Sequence, residues 1–186
     1  MEFRTAGNWN EPLWDALEVV YQQAFSHGTK SKTIVRRLLD SGDSFLHVGM
    51  EGSDVVAMAL SAKLHDLNAL LIDYLGVRED RRRHGIGAQF VDYIKEWAVQ
   101  EGYDGLVIEV ESEREQEPDD HPNAKRTRFW DKCGFHTTSY IHDYKVVPEL
   151  YRAMYLNFTP KSELPEHGEE LFSHIARYHK KAWGGK

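Results

Sequence analysis

Several kinds of segment are missing from this 186-residue sequence, and each absence argues against a class of protein. The single cysteine, Cys133, excludes an internal disulfide, which agrees with a reducing, cytoplasmic location. There is no run of about eighteen apolar residues, so we expect no membrane span. The first residues, Met1–Thr5, lack the basic and apolar regions of a secretory signal, so we expect none.

Basic residues are also in the minority. The 23 lysines and arginines stand against 30 acidic residues, and the net charge of −7 argues against nucleic acid as a partner. The ten histidines show no zinc-binding spacing, so we expect no metal site. What remains, with 41% hydrophobic and 28% charged residues, is typical of one soluble globular domain.

The spacing of apolar residues predicts strands followed by alternating helices and strands. The predicted strands lie over 3–7, 44–50, 55–63, 70–77, 106–111, 136–146 and 151–158. The predicted helices begin after Asn10 and Ser31 and lie over 88–101, 123–133 and 165–181. This order favours an α/β (α+β) fold with a single mixed, mostly antiparallel sheet and helices on both faces. A Rossmann fold fits less well, because Gly-x-Gly-x-x-Gly and repeated βαβ units are missing.

A basic loop with two glycines connects the strand over 70–77 to the next helix. Its sequence is Arg82-Arg83-His84-Gly85-Ile86-Gly87-Ala88, with Arg78 and Arg81 just before it. The first N–H groups of a helix have no intrahelical partner and carry partial positive charge. Glycine lets an anion approach such a backbone closely. Basic residues concentrated in an acidic chain therefore indicate a small polyanionic ligand; the alternative is a turn that only caps the helix.

Two segments resemble the GCN5-related N-acetyltransferases, the GNAT family. Arg82-x-x-Gly85-x-Gly87 fits the family signature Gln/Arg-x-x-Gly-x-Gly/Ala, and the segment from Asn123 to Phe135 resembles a later helix that ends in Gly-Phe. The resemblance covers about Phe3 to Thr159. It implies a GNAT-like acetyltransferase domain over 1–160 and a C-terminal helical extension over 161–186, packed on the same domain.

The resemblance also implies how acetyl-CoA would bind as cosubstrate. Backbone groups of the loop would hold the pyrophosphate, with arginine side chains on the nucleotide phosphates. The pantetheine arm would pair with the preceding strand as an added strand, next to a bulge expected at Gly76. The complete set of expected cofactor contacts is Leu75, Gly76, Val77, Arg82, Arg83, His84, Gly85, Ile86, Gly87, Ala88 and Trp130.

A base or a water chain helps acetyl transfer to an amine, because an amine with a pKa near 10 is mostly protonated at pH 7. Asp73 is the first candidate, since it is a carboxylate within an apolar strand, near the place where related enzymes have a glutamate. Glu109 and Glu111, on one face of the next strand, are the alternatives. Each of the three is otherwise a strand-end charge that pairs with arginine or faces solvent.

The leaving thiolate is often protonated in this family by a tyrosine four residues before the glycine of Gly-Phe. This chain has Trp130 at that position. Tyr140 or Tyr144 could donate instead, water could do so because a thiol with a pKa near 8.5 leaves readily, or the site no longer turns over. Trp130 itself either contacts the cofactor or packs in the core.

The resemblance thus implies an acetyl-CoA-dependent N-acetyltransferase that acts on a primary amine of a small molecule or peptide by direct attack in a ternary complex. The alternative is a non-catalytic acyl-CoA-binding module. The acidic run over 109–120 is either a solvated loop or attracts a cationic acceptor such as a polyamine, an aminoglycoside or a lysine-like amine. The first two helices would border the acceptor site, and the edge strands and the C-terminal helix are compatible with a homodimer.

Overall fold

The computed structural model describes residues 1–25, 28–112 and 121–184. The strands are β1 (Glu2–Ala6), β2 (Ser44–Glu51), β3 (Asp54–Leu64), β4 (Ala69–Val77), β5 (Gly105–Glu111), β6 (His136–Thr137), β7 (His142–Asp143) and β8 (Leu150–Asn157). The helices are α1 (Glu11–Ala24), α2 (Lys32–Asp40), α3 (Ile86–Gln100), α4 (Pro122–Lys132) and α5 (Gly168–Gly184). Within these described ranges, none of the helices combines the length and apolar character that crossing a bilayer requires.

The strands form one mixed sheet in the order β1-β2-β3-β4-β5-β8-β6, and β7 also pairs with β8. The pairings are antiparallel, except that β4 and β5 are parallel. Helices α3 and α4 pack on one face through one apolar core. Helices α1, α2 and α5 pack on the other face through two further cores. The expected mixed, mostly antiparallel sheet with helices on both faces and an additional C-terminal helix is therefore confirmed.

Strands β4 and β5 pair only at their beginnings. Their register runs from Ala69 opposite Gly105 to Ile72 opposite Ile108 and stops there. Strand β4 continues beside β3 to Val77, and β5 continues beside β8. Among the described residues, the facing edges of β4 and β5 beyond this point have no strand partner. We call the space between 73–77 of β4 and 109–111 of β5 the strand gap.

A β-bulge at Asp73 marks the beginning of the strand gap. Opposite β3, Ile72 pairs with Ser61 and Tyr74 pairs with Leu60, so Asp73 is an extra residue in β4. A bulge interrupts the alternation of side chains along a strand. Asp73 and Tyr74 therefore both point to the face covered by α1, α2 and α5.

The bulge expected at Gly76 is wrong, because Gly76 lies in regular register opposite Met58. The glycine has a packing role instead. A Cβ added at Gly76 would lie 2.6 Å from the Cβ of Ala24, the last residue of α1. Gly76 therefore lets the end of α1 lie close against β4.

Three predicted boundaries also differ from the structure. Helix α3 begins at Ile86 rather than at residue 88, because Gly85 takes the N-cap position. Helix α5 lies over Gly168–Gly184 instead of 165–181. The strand predicted over 136–146 is wrong: only the two short strands β6 and β7 form, and between them Thr138 and Tyr140 contact Gly168 at the start of α5.

Helix α5 buries one side against the sheet. Its buried apolar residues share a core with β3, β4, β5 and β8, and they are Leu171, Phe172, Ile175, Tyr178 and Ala182. The division of the chain into a domain over 1–160 and an extension over 161–186 stays a prediction.

Candidate active site

Helix α3 differs from its neighbours at the first turn. The side chains of Asn10, Ser31 and His121 cap α1, α2 and α4, each accepting a hydrogen bond from a backbone N–H. The N-cap of α3 is Gly85, in the left-handed conformation with φ of 78°, and no side chain of the described residues caps this helix. The first turn of α3 therefore offers backbone donors to an anion, and the glycine leaves its approach open.

The arginines of the loop are engaged to different degrees. Arg78 pairs with Asp80, Nε to Oδ1, at 2.7 Å. Arg81 pairs with Glu51, Nε to Oε2, at 2.9 Å. Arg82 donates from Nε to the carbonyl of Val77 at 3.0 Å, which ties the loop to the end of β4.

Arg83 and His84 are the two basic side chains of the loop that face solvent without a described hydrogen-bond or ion-pair partner. Arg83 has a φ of 67°, an unusual conformation for a residue with a side chain. Basic side chains of the kind that bind phosphate therefore lie beside the uncapped turn without a described partner. Their expected role in cofactor binding stays a prediction.

The other expected cofactor contacts fall into two groups. Ile86 is buried in the core on the α3 and α4 face, so only its backbone is available to a ligand. Trp130 is buried in the same core, with its ring centroid 5.1 Å from those of both Phe129 and Phe135. By contrast, Gly85 and the neighbouring Ala88 are exposed, Gly87 is half-buried, and Leu75 and Val77 are half-buried along the strand gap.

Asp73 lies at the inner end of the strand gap in a buried ion pair. Its Oδ2 is 2.8 Å from Nζ of Lys30, and the two side chains are 3% and 1% exposed. The Tyr178 hydroxyl donates to the same carboxylate at 2.8 Å. Asp73 is therefore fully engaged, and the alternative of a strand-end charge in solvent does not hold.

Lys30 was missed by sequence reasoning, because it is a single basic residue in the segment between α1 and α2 with no local pattern around it. Its ammonium lies over the rings of Tyr74, Tyr178 and Trp183, at 4.9, 5.2 and 5.5 Å from their centroids. Aromatic faces attract a desolvated cation in this arrangement. The surroundings of Lys30 Nζ are therefore those of a binding site for an alkylammonium group.

Glu109 lies across the gap from Asp73 and accepts two hydrogen bonds. The Tyr144 hydroxyl donates to Oε2 at 2.6 Å, and Nε2 of His179 donates to Oε1 at 2.5 Å. Burial raises the pKa of the Glu109 carboxyl, but the hydrogen bonds from His179 and Tyr144 outweigh burial and hold it below its usual value. Burial and the neighbouring Glu109 charge raise the pKa of the Tyr144 hydroxyl well above its usual value, which weakens it as a proton donor.

The remaining catalytic candidates lie apart. Glu111 pairs with Arg126 at 3.3 Å. This agrees with the alternative interpretation, in which Glu111 is a strand-end charge paired with an arginine. Tyr140 lies beside His142, with 3.4 Å between its hydroxyl and Nδ1. The structure thus brings together Asp73, Glu109 and Tyr144, and their catalytic roles stay predictions. The acidic residues Glu113, Glu115, Glu117, Asp119 and Asp120 lie outside the described residues.

Six side chains meet at the strand gap, and we call them the buried polar cluster: Lys30, Asp73, Glu109, Tyr144, Tyr178 and His179. Potential ligand atoms of Asp73, Glu109 and His179 lie within 4.8 Å of one another, a spacing that could hold a metal ion. In this structure Lys30, Tyr144 and Tyr178 already donate to the two carboxylates. The two carboxylates therefore accept hydrogen bonds from hydroxyl groups and an ammonium group, which occupy the positions that a metal ion would need.

Helix α5 contributes Tyr178 and His179 to the buried polar cluster and closes the strand gap on its own face of the sheet. Tyr178 lies on the apolar side of α5, at helical spacing from Leu171 and Ile175, but nothing local in the sequence indicates its hydroxyl contact with Asp73, 105 residues away. A surface depression of about 670 Å³ is lined by residues of the 157–166 segment, none of which belongs to the buried polar cluster.

A family model described as the acetyltransferase (GNAT) family matches residues 10–135, a range that includes both the loop and Phe135. The chain belongs to this family, as the two motifs predicted. A comparison with curated proteins gives no match.

Solved structures of acetyltransferases share the fold. The aminoglycoside 6'-N-acetyltransferase from Enterococcus faecium is 14% identical, with a TM-score of 0.70 over 88% of this chain and 100% of that chain. The ribosomal-protein-S18-alanine N-acetyltransferase from Escherichia coli is 16% identical, with a TM-score of 0.61 over 88% and 99%. The Bacillus subtilis acetyltransferase in complex with CoA is 19% identical, with a TM-score of 0.60 over 85% and 99%. At such identities the likeness shows the fold alone.

Proposed function

We propose that this protein is an acetyl-CoA-dependent N-acetyltransferase that transfers an acetyl group to a primary amine of a small molecule or peptide by direct attack in a ternary complex. The observation that carries the proposal is the strand gap, which leads from the uncapped first turn of α3 to the carboxylate of Asp73. Membership of the GNAT family and the CoA bound to the Bacillus subtilis structure support the choice of cosubstrate.

Each part of the site has a task in this proposal. The backbone of 82–88, with Arg83 and His84, binds the diphosphate. The unpaired edge of β4 over 75–77 binds the pantetheine arm through main-chain hydrogen bonds. The carboxylates of Asp73 and Glu109 are the bases nearest the gap, and they orient the amine and take up its proton. The raised pKa of Tyr144 favours water over tyrosine as the proton source for the thiolate.

The acceptor is proposed to be cationic. The Asp73 carboxylate and three aromatic rings already surround an ammonium group, that of Lys30, on the face opposite α3 and α4. A free primary amine that displaces Lys30 meets the same groups. Cytoplasmic location and a homodimer stay predictions.

A non-catalytic acyl-CoA-binding module is the second candidate. The observations that favour it are the full engagement of Asp73 and Glu109 and the burial of Trp130 at the position of the family tyrosine. A panel of primary amines separates the two functions. Release of CoA above the hydrolysis background with any amine supports the enzyme, and background release with every amine supports the module.

Replacement of the N-cap glycine tests the cofactor site. We expect Gly85→Glu to abolish acetyl-CoA binding in titration calorimetry, because it puts a negative side chain where the diphosphate would lie, while the circular dichroism stays unchanged. Gly52→Glu is the matched control, since Gly52 also has a positive φ, of 61°, and open space around it. Unaltered affinity in Gly85→Glu would remove the assignment of the loop.

A further inference from the structure

The one lysine among the buried polar residues of the described chain is Lys30, and its amine lies at the inner end of the strand gap. We propose that Lys30 is itself an acetyl acceptor: its Nζ is acetylated by acetyl-CoA bound in the gap of the same molecule. This modification site rests on the proposed function, because it uses the same cosubstrate and the same passage through the sheet.

The position of Lys30 relative to the sheet carries the argument. The diphosphate loop leads into α3, which covers one face, whereas Lys30 Nζ lies on the opposite face against Asp73. The strand gap joins the two faces, since β4 and β5 stop pairing at Ile72 and Ile108. An acyl group that enters along β4 therefore meets the amine of Lys30 where the strands part.

The surroundings of Nζ hold the amine in place for attack. Asp73 accepts from it through both carboxylate oxygens, at 3.0 Å for Oδ1 and 2.8 Å for Oδ2. The rings of Tyr74 and Tyr178 limit the paths that the side chain can take. An amine fixed next to a proton acceptor reacts with the advantage of an intramolecular group.

The chemical step balances without any further reactant. The Lys30 nitrogen forms a bond to the thioester carbonyl carbon, and the carbon–sulfur bond breaks with its electron pair left on sulfur. The ammonium loses two protons: one ends on the sulfur of CoA, and the other leaves through Asp73 to solvent. The products are Nε-acetyl-Lys30, CoA as its free thiol and a released proton.

The burial of Lys30 distinguishes this reaction from non-enzymatic acetylation by acetyl-CoA in solution. Lysines that react with acetyl-CoA from solution must be accessible, and the side chain of Lys30 is 1% exposed. Lys32, two residues further along, is 42% exposed and pairs with Glu11. A preference for Lys30 over Lys32 therefore requires a route through the strand gap.

Isotope-labelled acetyl-CoA tests the proposal on the full chain, since the label distinguishes new acetyl groups from any acquired during expression. Peptide mass spectrometry should find about one labelled acetyl group per chain, on Lys30. The rate should be first order and independent of protein concentration over a tenfold range. Lys30→Arg should lose the label, Lys32→Arg should keep it, and Asp73→Asn with unchanged circular dichroism should slow labelling at least tenfold.

Four results would overturn the proposal, and only the last of them also removes the proposed function. Acetylation of free amines with Lys30 unlabelled would remove the modification site but not the enzyme. If the labelling rates increase with the solvent exposure of the lysines, so that Lys32 is labelled before Lys30, the lysines react with acetyl-CoA from solution. A rate that rises with protein concentration would show transfer between molecules. Loss of acetyl-CoA binding itself would remove both the enzyme and the site.

Discussion

Asp73 and Asp80 are seven residues apart and both accept hydrogen bonds from a cation, yet their energetic roles differ. Asp80 pairs with Arg78 at the surface, where an ion pair contributes about 0–1 kcal/mol. Asp73 pairs with Lys30 out of contact with water, where removal of one partner leaves an unpaired charge and costs about 3–5 kcal/mol. Burial therefore decides which of the two carboxylates the fold depends on.

His47 provides a pH-dependent prediction at this scale. It is fully buried in β2, with Nδ1 at 2.8 Å from Thr5 Oγ1 and Nε2 at 2.8 Å from Ser61 Oγ. Burial lowers the pKa of His47 to about 3. An unfolded histidine has a pKa near 6.5, so between these values the unfolded chain binds the additional proton. Acidification from pH 6.5 towards pH 3 therefore destabilises the protein.

Urea unfolding between pH 7 and pH 4 measures this effect. As the pH falls, the free energy of unfolding of the wild type should decrease by up to about 1.4 kcal/mol per pH unit more than that of His47→Gln. The glutamine keeps a polar side chain at this position but does not titrate. The carboxylates are the same in both proteins, so the difference between the two slopes isolates His47. Parallel pH profiles would contradict the prediction.

The separation of β4 and β5 depends on how whole strands pair within the sheet. Both strands stay paired on their outer sides, to β3 and β8, and part only where Asp73 adds a residue to β4. A bulge bends its strand, which is how one additional residue opens a space in a continuous sheet. Helix α1 then supports the outer part of β4 by its close approach at Gly76.

The contact between α1 and β4 can be tested with one substitution that destabilises it and a second that compensates for the first. Gly76→Ala should lower the free energy of unfolding by about 1–3 kcal/mol, because its Cβ would lie 2.6 Å from that of Ala24. Ala24→Gly removes the opposing methyl group. The double variant should therefore be more stable than Gly76→Ala alone in a double-mutant cycle read by urea unfolding. Additive losses would show that the two positions do not meet.

At the scale of the molecule, α5 joins parts of the chain that are far apart in sequence. Its apolar side lies on the sheet, Tyr178 and His179 reach the strand gap, and Arg177 pairs with Asp66 at the surface. The apolar contacts should provide most of the attachment, since exposed ion pairs stabilise little. The helix is therefore a part of the folded core rather than an appendage held by charge.

Two substitutions on α5 distinguish these contributions. Phe172 is buried, and its ring stacks on that of His142 with 4.4 Å between centroids. Phe172→Ala should lower the free energy of unfolding by about 3–5 kcal/mol. Arg177→Ala, which removes the exposed ion pair with Asp66, should lower it by less than about 1 kcal/mol. Equal losses in urea unfolding would mean that charge pairing holds α5 in place.

The sequence by itself determined most of the order of the elements, the family, and the glycine loop between β4 and α3, whose anion-binding role stays a prediction. Those features come from local patterns: apolar spacing in the strands and helices, and glycines placed where a strand leads into α3. It also brought Asp73 and Glu109 forward as candidates, because carboxylates inside apolar strands are visible in the sequence. Tyr144 became a candidate because Trp130 stands at the position of the family tyrosine.

Only the tertiary structure decided what those candidates touch. The partners of Asp73 are Lys30 and Tyr178, 43 and 105 residues away along the chain, and the partner His179 of Glu109 is 70 residues away. The bulge lies at Asp73 rather than at the predicted position, Gly76, for the same reason. Strand register depends on the neighbouring strand as well as on the residue itself. Contacts between distant segments follow from how the sheet and helices pack, and no local pattern encodes them.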